Sequence, residues 1–154
     1  MSNHQTFFQQ DVPQLLNKLT IEAQPEWGEM DVVKMLEHLR AGTELFMGKI
    51  KTELEVPEEK LPRYKAFLMS DKPFMQHAPK PKVYNSYEQK DELNFEKLKS
   101  DFLTALKKFD TVTRTEQDFC VFHPSFGLLN AEETRQLQFK HICHHFQQFG
   151  LLKR

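Results

Sequence analysis

No charge of one sign dominates this chain of 154 residues, in which 21 basic side chains stand against 22 acidic ones. Without a positive field there is nothing to gather phosphate backbones or an anionic membrane surface, so neither nucleic acid nor membrane is expected as a partner. Glycine is scarce as well. Gly28, Gly42, Gly48, Gly127 and Gly150 nowhere take the spacing of a dinucleotide turn or a P-loop, both of which need bare backbone close to phosphate. Cysteine occurs only as Cys120 and Cys143, without CxxC spacing, which argues against a disulfide scaffold and a cysteine zinc site and fits a reducing compartment. Long apolar runs are missing, and the first ten residues carry neither the basic nor the apolar stretch of a secretory leader. The expectation is one soluble, cytoplasmic domain over residues 1–154.

What the chain has in quantity is phenylalanine, 14 residues, and histidine, seven. Its apolar residues recur at helical spacing. Positions 12, 15, 16 and 19 predict a short helix opened by Pro13, where a missing N–H costs nothing. Asp31 is placed to cap a second helix over about 32–50, with Met30 and Met35 as a hydrophobic staple. Residues 51–85 contain Pro57, Pro62, Pro73, Pro79 and Pro81 among interspersed aromatics, which reads as a long packed connection with short helical turns. Ser86 and Gln89 have capping-box spacing, and Phe95, Leu98, Phe102, Leu106 and Phe109 form the clearest amphipathic stripe. Residues 111–129 read as a loop. Asn130 and Glu133 repeat the capping-box pattern before a last helix that stops at Gly150. With no strand-like alternation, the fold expected is an all-α bundle of four helices with a long crossover.

His141 and His145 lie four apart on the last helix, one turn above the other on one face, so the pair can share a metal ion. The zinc-protease motif is excluded because Ile142 stands where its glutamate base would be. The pair alone is a weak signal, since Phe139, Ile142, Phe146 and Phe149 form an apolar stripe elsewhere and the histidines then read equally well as a solvated face. His38, in mid-helix with Met35, Gly42 and Leu45 on its face, is the best third ligand, although a satisfied core histidine is the plainer reading. Gly42 leaves space beside it. Three histidines from two helices would make an open site with room for water or substrate.

The segments Trp27-Gly28-Glu29-Met30, Met35-Leu36-x-His38, His123-Pro124-Ser125-Phe126-Gly127, and H-x-x-H-H-x-x-Q-F-G from His141 to Gly150 together resemble the DinB-like superfamily of metal-dependent bundles, in an uncharacterised branch. The resemblance runs from about Trp27 to Gly150. It implies a DinB/YfiT-like four-helix bundle with a crossover, and a divalent ion held by His38, His141 and His145, with zinc, nickel, manganese and iron all acceptable to imidazole. It implies no particular small-molecule substrate, and no residue plainly matches a thiol-cofactor pocket.

Other residues have plainer readings. His144 projects about 100° from His145 and is a neighbour rather than a ligand. Gln148 either orients a ligand or faces water. His123 either lines a pocket mouth as a proton carrier or bonds to backbone. Ser125 lacks the context of a nucleophile elbow, and Cys143 packs as a small hydrophobe. Glu37 and Glu44 default to solvated helix charges, and residues 77–82, with Lys80 and Lys82, to a solvated crossover. Two functions follow as expectations: a metal-dependent transferase or hydrolase that activates water or a thiol, and a non-catalytic bundle that binds a small ligand. A homodimer is a further expectation, because bundles of this kind expose an apolar helix face.

Overall fold

The computed structural model of the chain describes residues 2–89 and 93–153. It is mostly helical, with one small antiparallel hairpin. The amino-terminal helix begins earlier than the apolar spacing predicts. It starts as α1 (Ser2–Thr6), passes through a π-helical turn (Phe7–Asp11) and continues as α2 (Val12–Asn17). The turn brings both Phe7 and Phe8 into the core, which a polar-looking start with two adjacent phenylalanines does not advertise. Then come α3 (Val32–Leu45), α4 (Leu61–Met69), α5 (Tyr84–Tyr87), α6 (Phe95–Thr115), β1 (Cys120–His123), β2 (Gly127–Asn130) and α7 (Ala131–Gln148).

Caps set most of the boundaries. Asp31 Oδ1 accepts the Lys34 N–H at 2.8 Å and opens α3 as expected. The helix ends at Leu45 rather than near Ile50, because the Met47 and Gly48 N–H groups turn back to the carbonyls of Glu44 and Leu45. The capping box expected at Ser86 and Gln89 does not form. The Ser86 hydroxyl instead donates to the Val83 carbonyl, and the Gln89 N–H goes to Glu37. Residues 90–92 of that expected helix lie outside the described residues. The observed start of α6 is capped by Asn94, whose Oδ1 accepts from Lys97 N–H at 2.8 Å. At α7 the predicted box is present in both directions, Asn130 to Glu133 at 2.8 Å and back at 3.0 Å. Gly150, at φ +72°, ends α7 by taking the left-handed conformation that lets Gly150 N–H and Leu151 N–H return to Gln147 and Phe146.

The reading of 111–129 as loop is corrected twice. Helix α6 runs on to Thr115, and residues 120–130 form a hairpin in which Val121 pairs with Leu129 and His123 with Gly127. Its turn of Pro124, Ser125 and Phe126 closes on Gly127 at φ +72°. The hairpin escapes the alternation test because its outward residues Phe122 and Leu128 are apolar like its inward ones.

Helices α3, α6 and α7 pack on one another around Leu36, Leu39, Phe102, Phe109, Ile142 and Phe146, all fully buried. The predicted α6 stripe is buried throughout. One polar network crosses this core. Arg135 of α7 donates to Asp110 Oδ1 and Thr113 Oγ1 of α6, each at 2.8 Å, and Gln9 from the π turn donates to Asp110 Oδ2 at 2.7 Å. Because the carboxylate is buried, removing Arg135 leaves it with the half-exposed Arg114 guanidinium, at 3.6 Å, as its remaining cation. Arg135→Met should therefore cost about 3 kcal/mol of stability in urea unfolding; a cost within about 0.5 kcal/mol, the range of an ordinary surface change, would show that the network is not structural.

Candidate metal centre

Helix α7 is enclosed on most of its circumference, so its histidine face is not solvated. His141 and His145 point inward and meet His38 from α3, and one ring nitrogen from each can be chosen so that all three lie within 4.8 Å of one another. The three histidines are thus close enough to hold a metal ion. The ring centroids are 4.8–4.9 Å apart in every pairing. His38 Nε2 and His141 Nε2 approach to 2.9 Å, a contact between two basic nitrogens that requires a shared proton or cation between them.

The other ring nitrogens decide which atoms face inward. His38 Nδ1 lies 2.7 Å from Glu88 Oε1, so a neutral His38 donates there and keeps its Nε2 lone pair free. His145 Nδ1 lies 2.8 Å from Gln148 Oε1, and Gln148 in turn donates to the Trp27 carbonyl, which fixes the amide with its oxygen toward the histidine. Carboxylate and amide partners of this sort are what orient and strengthen imidazole ligands. His141 is the exception. Its Nδ1 is buried and has no hydrogen-bond partner, a cost that a structure carries only where something else recovers it.

Burial drives all three imidazoles toward the neutral form, and at His141 and His145 the neighbouring histidines push the same way. Neutral nitrogen donors from two helices make a donor set suited to a first-row divalent ion. At Glu88 burial raises the carboxyl, but the bonds to His38 and to Lys80 Nζ, the latter at 3.0 Å, more than offset this and keep it ionised.

Two carboxylates expected to be solvated are not. Glu37 is fully buried against Arg40 and accepts the Gln89 N–H at 2.5 Å. Glu44 binds Arg40 and accepts the Tyr87 hydroxyl at 2.5 Å, and burial together with this carboxylate pushes the Tyr87 phenol up to about 12. The two acids clamp the 84–89 segment onto α3, which delivers Glu88 to His38. Lys80, expected in a solvated stretch, is tied to the same carboxylate. Residues 37, 44 and 88 were invisible as a set because no sequence spacing links a proline-rich connection to a helix about 50 positions earlier.

His144 stands beside the trio but does not belong to it. Its ring is 5.0 Å from His145 and 5.8 Å from Trp27, edge-on to both. His123 lines the cavity, accepts the Ser125 N–H at Nδ1 and is held down to about 3 by burial. Cys143 packs against the core, with its thiol pushed up to about 12 by burial. Above the trio opens a cavity of about 800 Å³, lined mainly by aromatic and aliphatic side chains. Among the described residues no helix is long and apolar enough to cross a membrane. Set against known protein families, curated proteins and solved structures, the chain matches none.

Gly42 makes the convergence sterically feasible. A β-carbon at this position would sit 2.7 Å from Tyr84 Oη and 2.9 Å from His141 Cε1, both on buried rings. Gly→Ala in an open helix gains about 1 kcal/mol. Here overpacking of about 1–3 kcal/mol should exceed the gain, so Gly42→Ala is expected to lower unfolding stability by about 1 kcal/mol. A rise in stability would mean that His141 is free to move aside.

Proposed function

We propose that the chain is a divalent-metal-dependent enzyme of the DinB-like kind, with zinc, nickel, manganese or iron held by His38, His141 and His145. The observation that carries this reading is the convergence of three buried, neutral imidazoles within 4.8 Å, two of them anchored through the second nitrogen by an oxygen acceptor. On this reading residues 2–17 with α3, α6 and α7 are the four helices of the bundle, and 46–89 belongs to its crossover. A bound ion supplies Lewis acidity, lowering the pKa of water or a thiol or polarising a carbonyl, which places the reaction among transferases or hydrolases. The chain's own residues have the supporting parts. Glu88 and Gln148 hold two rings in orientation.

A second reading, non-catalytic binding of a small molecule, is favoured by one observation. The carboxylates on α3 and beside α5 are all engaged, Glu37 and Glu44 by Arg40 and Glu88 by His38 and Lys80. None of these stands ready as a general base.

The test is direct. Protein stripped by chelator and offered each of the four metals should bind at least one of them with one ion per chain. His145→Ala should weaken that affinity more than about 100-fold while the circular dichroism stays helical, since a ligand is worth more than the groups that hold a ligand's other nitrogen, whose loss costs about 10–100-fold. His144→Ala should leave it nearly unchanged. Failure of every metal to bind at micromolar concentration, or equal damage from the two substitutions, would overturn the assignment.

A further inference from the structure

The cavity above the histidines has a composition that the metal reading does not require. One wall is a row of three near-parallel rings drawn from separate parts of the chain. Phe67 of α4 and Phe74 of the following connection have centroids 6.1 Å apart at 29°, and Phe74 and Phe126 of the hairpin turn 6.4 Å apart at 17°. Phe74 is only partly buried by these neighbours. Trp27 and Met30 also line the space. The cavity's volume of about 800 Å³ lies in the range of sites that take whole drug-sized molecules, well beyond the need of a water or a small acyl group.

Charge is sparse in the same lining. Only Glu29, which is exposed, and Lys80 carry formal charge there, and the Lys80 ammonium is paired with Glu88 at 3.0 Å. No arginine lines it. The Lys140 ammonium, over the Phe67 and Phe74 rings, is outside the lining and donates to the Phe67 carbonyl. A ligand with several carboxylates or phosphates would therefore lose its hydration for little return, whereas an uncharged ring system loses little and gains contact with the phenylalanine row. Six histidines are among the lining residues, and three of them, His38, His141 and His145, form the cluster toward which a ligand's donor can turn.

We propose that the cavity binds a neutral, flat aromatic molecule of about two fused rings, lying along Phe67, Phe74 and Phe126 with a single polar donor turned toward the histidines. This deepens the metal reading by naming the ligand class of the same site, and only the role of the donor rests on that reading. The ring site is a property of the apolar wall. It can be tested with no metal present.

N-phenyl-1-naphthylamine, a neutral fluorophore that brightens in apolar surroundings, is titrated into metal-free wild-type protein. Saturable micromolar binding at one site per chain is expected. Phe74→Ala should weaken it about tenfold, the loss of one ring face, with unchanged circular dichroism. Naphthalene-1,5-disulfonate, of similar size but doubly charged, should compete poorly. In a second arm, needing no variant, metal-loaded wild-type protein is offered acetohydroxamate and 2-naphthohydroxamate, which share one metal-binding group. The naphthyl compound should bind about 30-fold more tightly. Absence of saturable binding of the fluorophore to folded metal-free protein overturns the ring site, as does equal competition by the disulfonate or equal affinity for the two hydroxamates. If no metal loads, the metal reading fails and the first arm alone decides the ring site.

Discussion

Three imidazoles buried in contact cannot all be charged, and most of what surrounds them keeps them uncharged and aimed. Histidine in water titrates near neutrality, so a cluster of three would repel itself and open the core if it were solvated or misoriented. Here burial removes the charge, and Glu88 and Gln148 take up a proton-bearing nitrogen on His38 and His145. Of the three, His141 has no such partner at its Nδ1.

The polar groups farther out answer to the same constraint. Glu37 and Glu44, bridged by Arg40, clamp the 84–89 segment to α3 and so fix Glu88 against His38. On the other side of α7, Arg135 and Asp110 lock that helix to α6. Between these two networks the histidine faces of α3 and α7 are held in place. Gly42 provides the space in which they meet. A pair of helices whose histidines had to find one another without such latches would spend side-chain entropy on each encounter.

The helices and their caps were legible in the sequence where local chemistry sets them. Asp31, Asn130 with Glu133, and Gly150 act where capping rules place them, and the α6 stripe from Phe95 to Phe109 is buried as its spacing requires. The i, i+4 histidine pair and the mid-helix His38 come together as expected. What escaped was non-local or masked. Phe122 and Leu128 hid a hairpin by being apolar on its outer face. Ser86 had the right spacing for a cap but its hydroxyl found a nearer carbonyl at Val83. Glu88 could not be tied to His38 because contacts across 50 residues leave no periodic trace.

The central claim is that these three nitrogens act as one ligand set. X-ray absorption at the metal edge of stripped, zinc-loaded protein reads it most directly. The account predicts a first shell of light atoms at about 2.0–2.1 Å with the outer-shell scattering of three imidazoles and no sulfur. A spectrum with one imidazole or none, or with a sulfur at about 2.3 Å that would bring in Cys143 or Cys120, would contradict it.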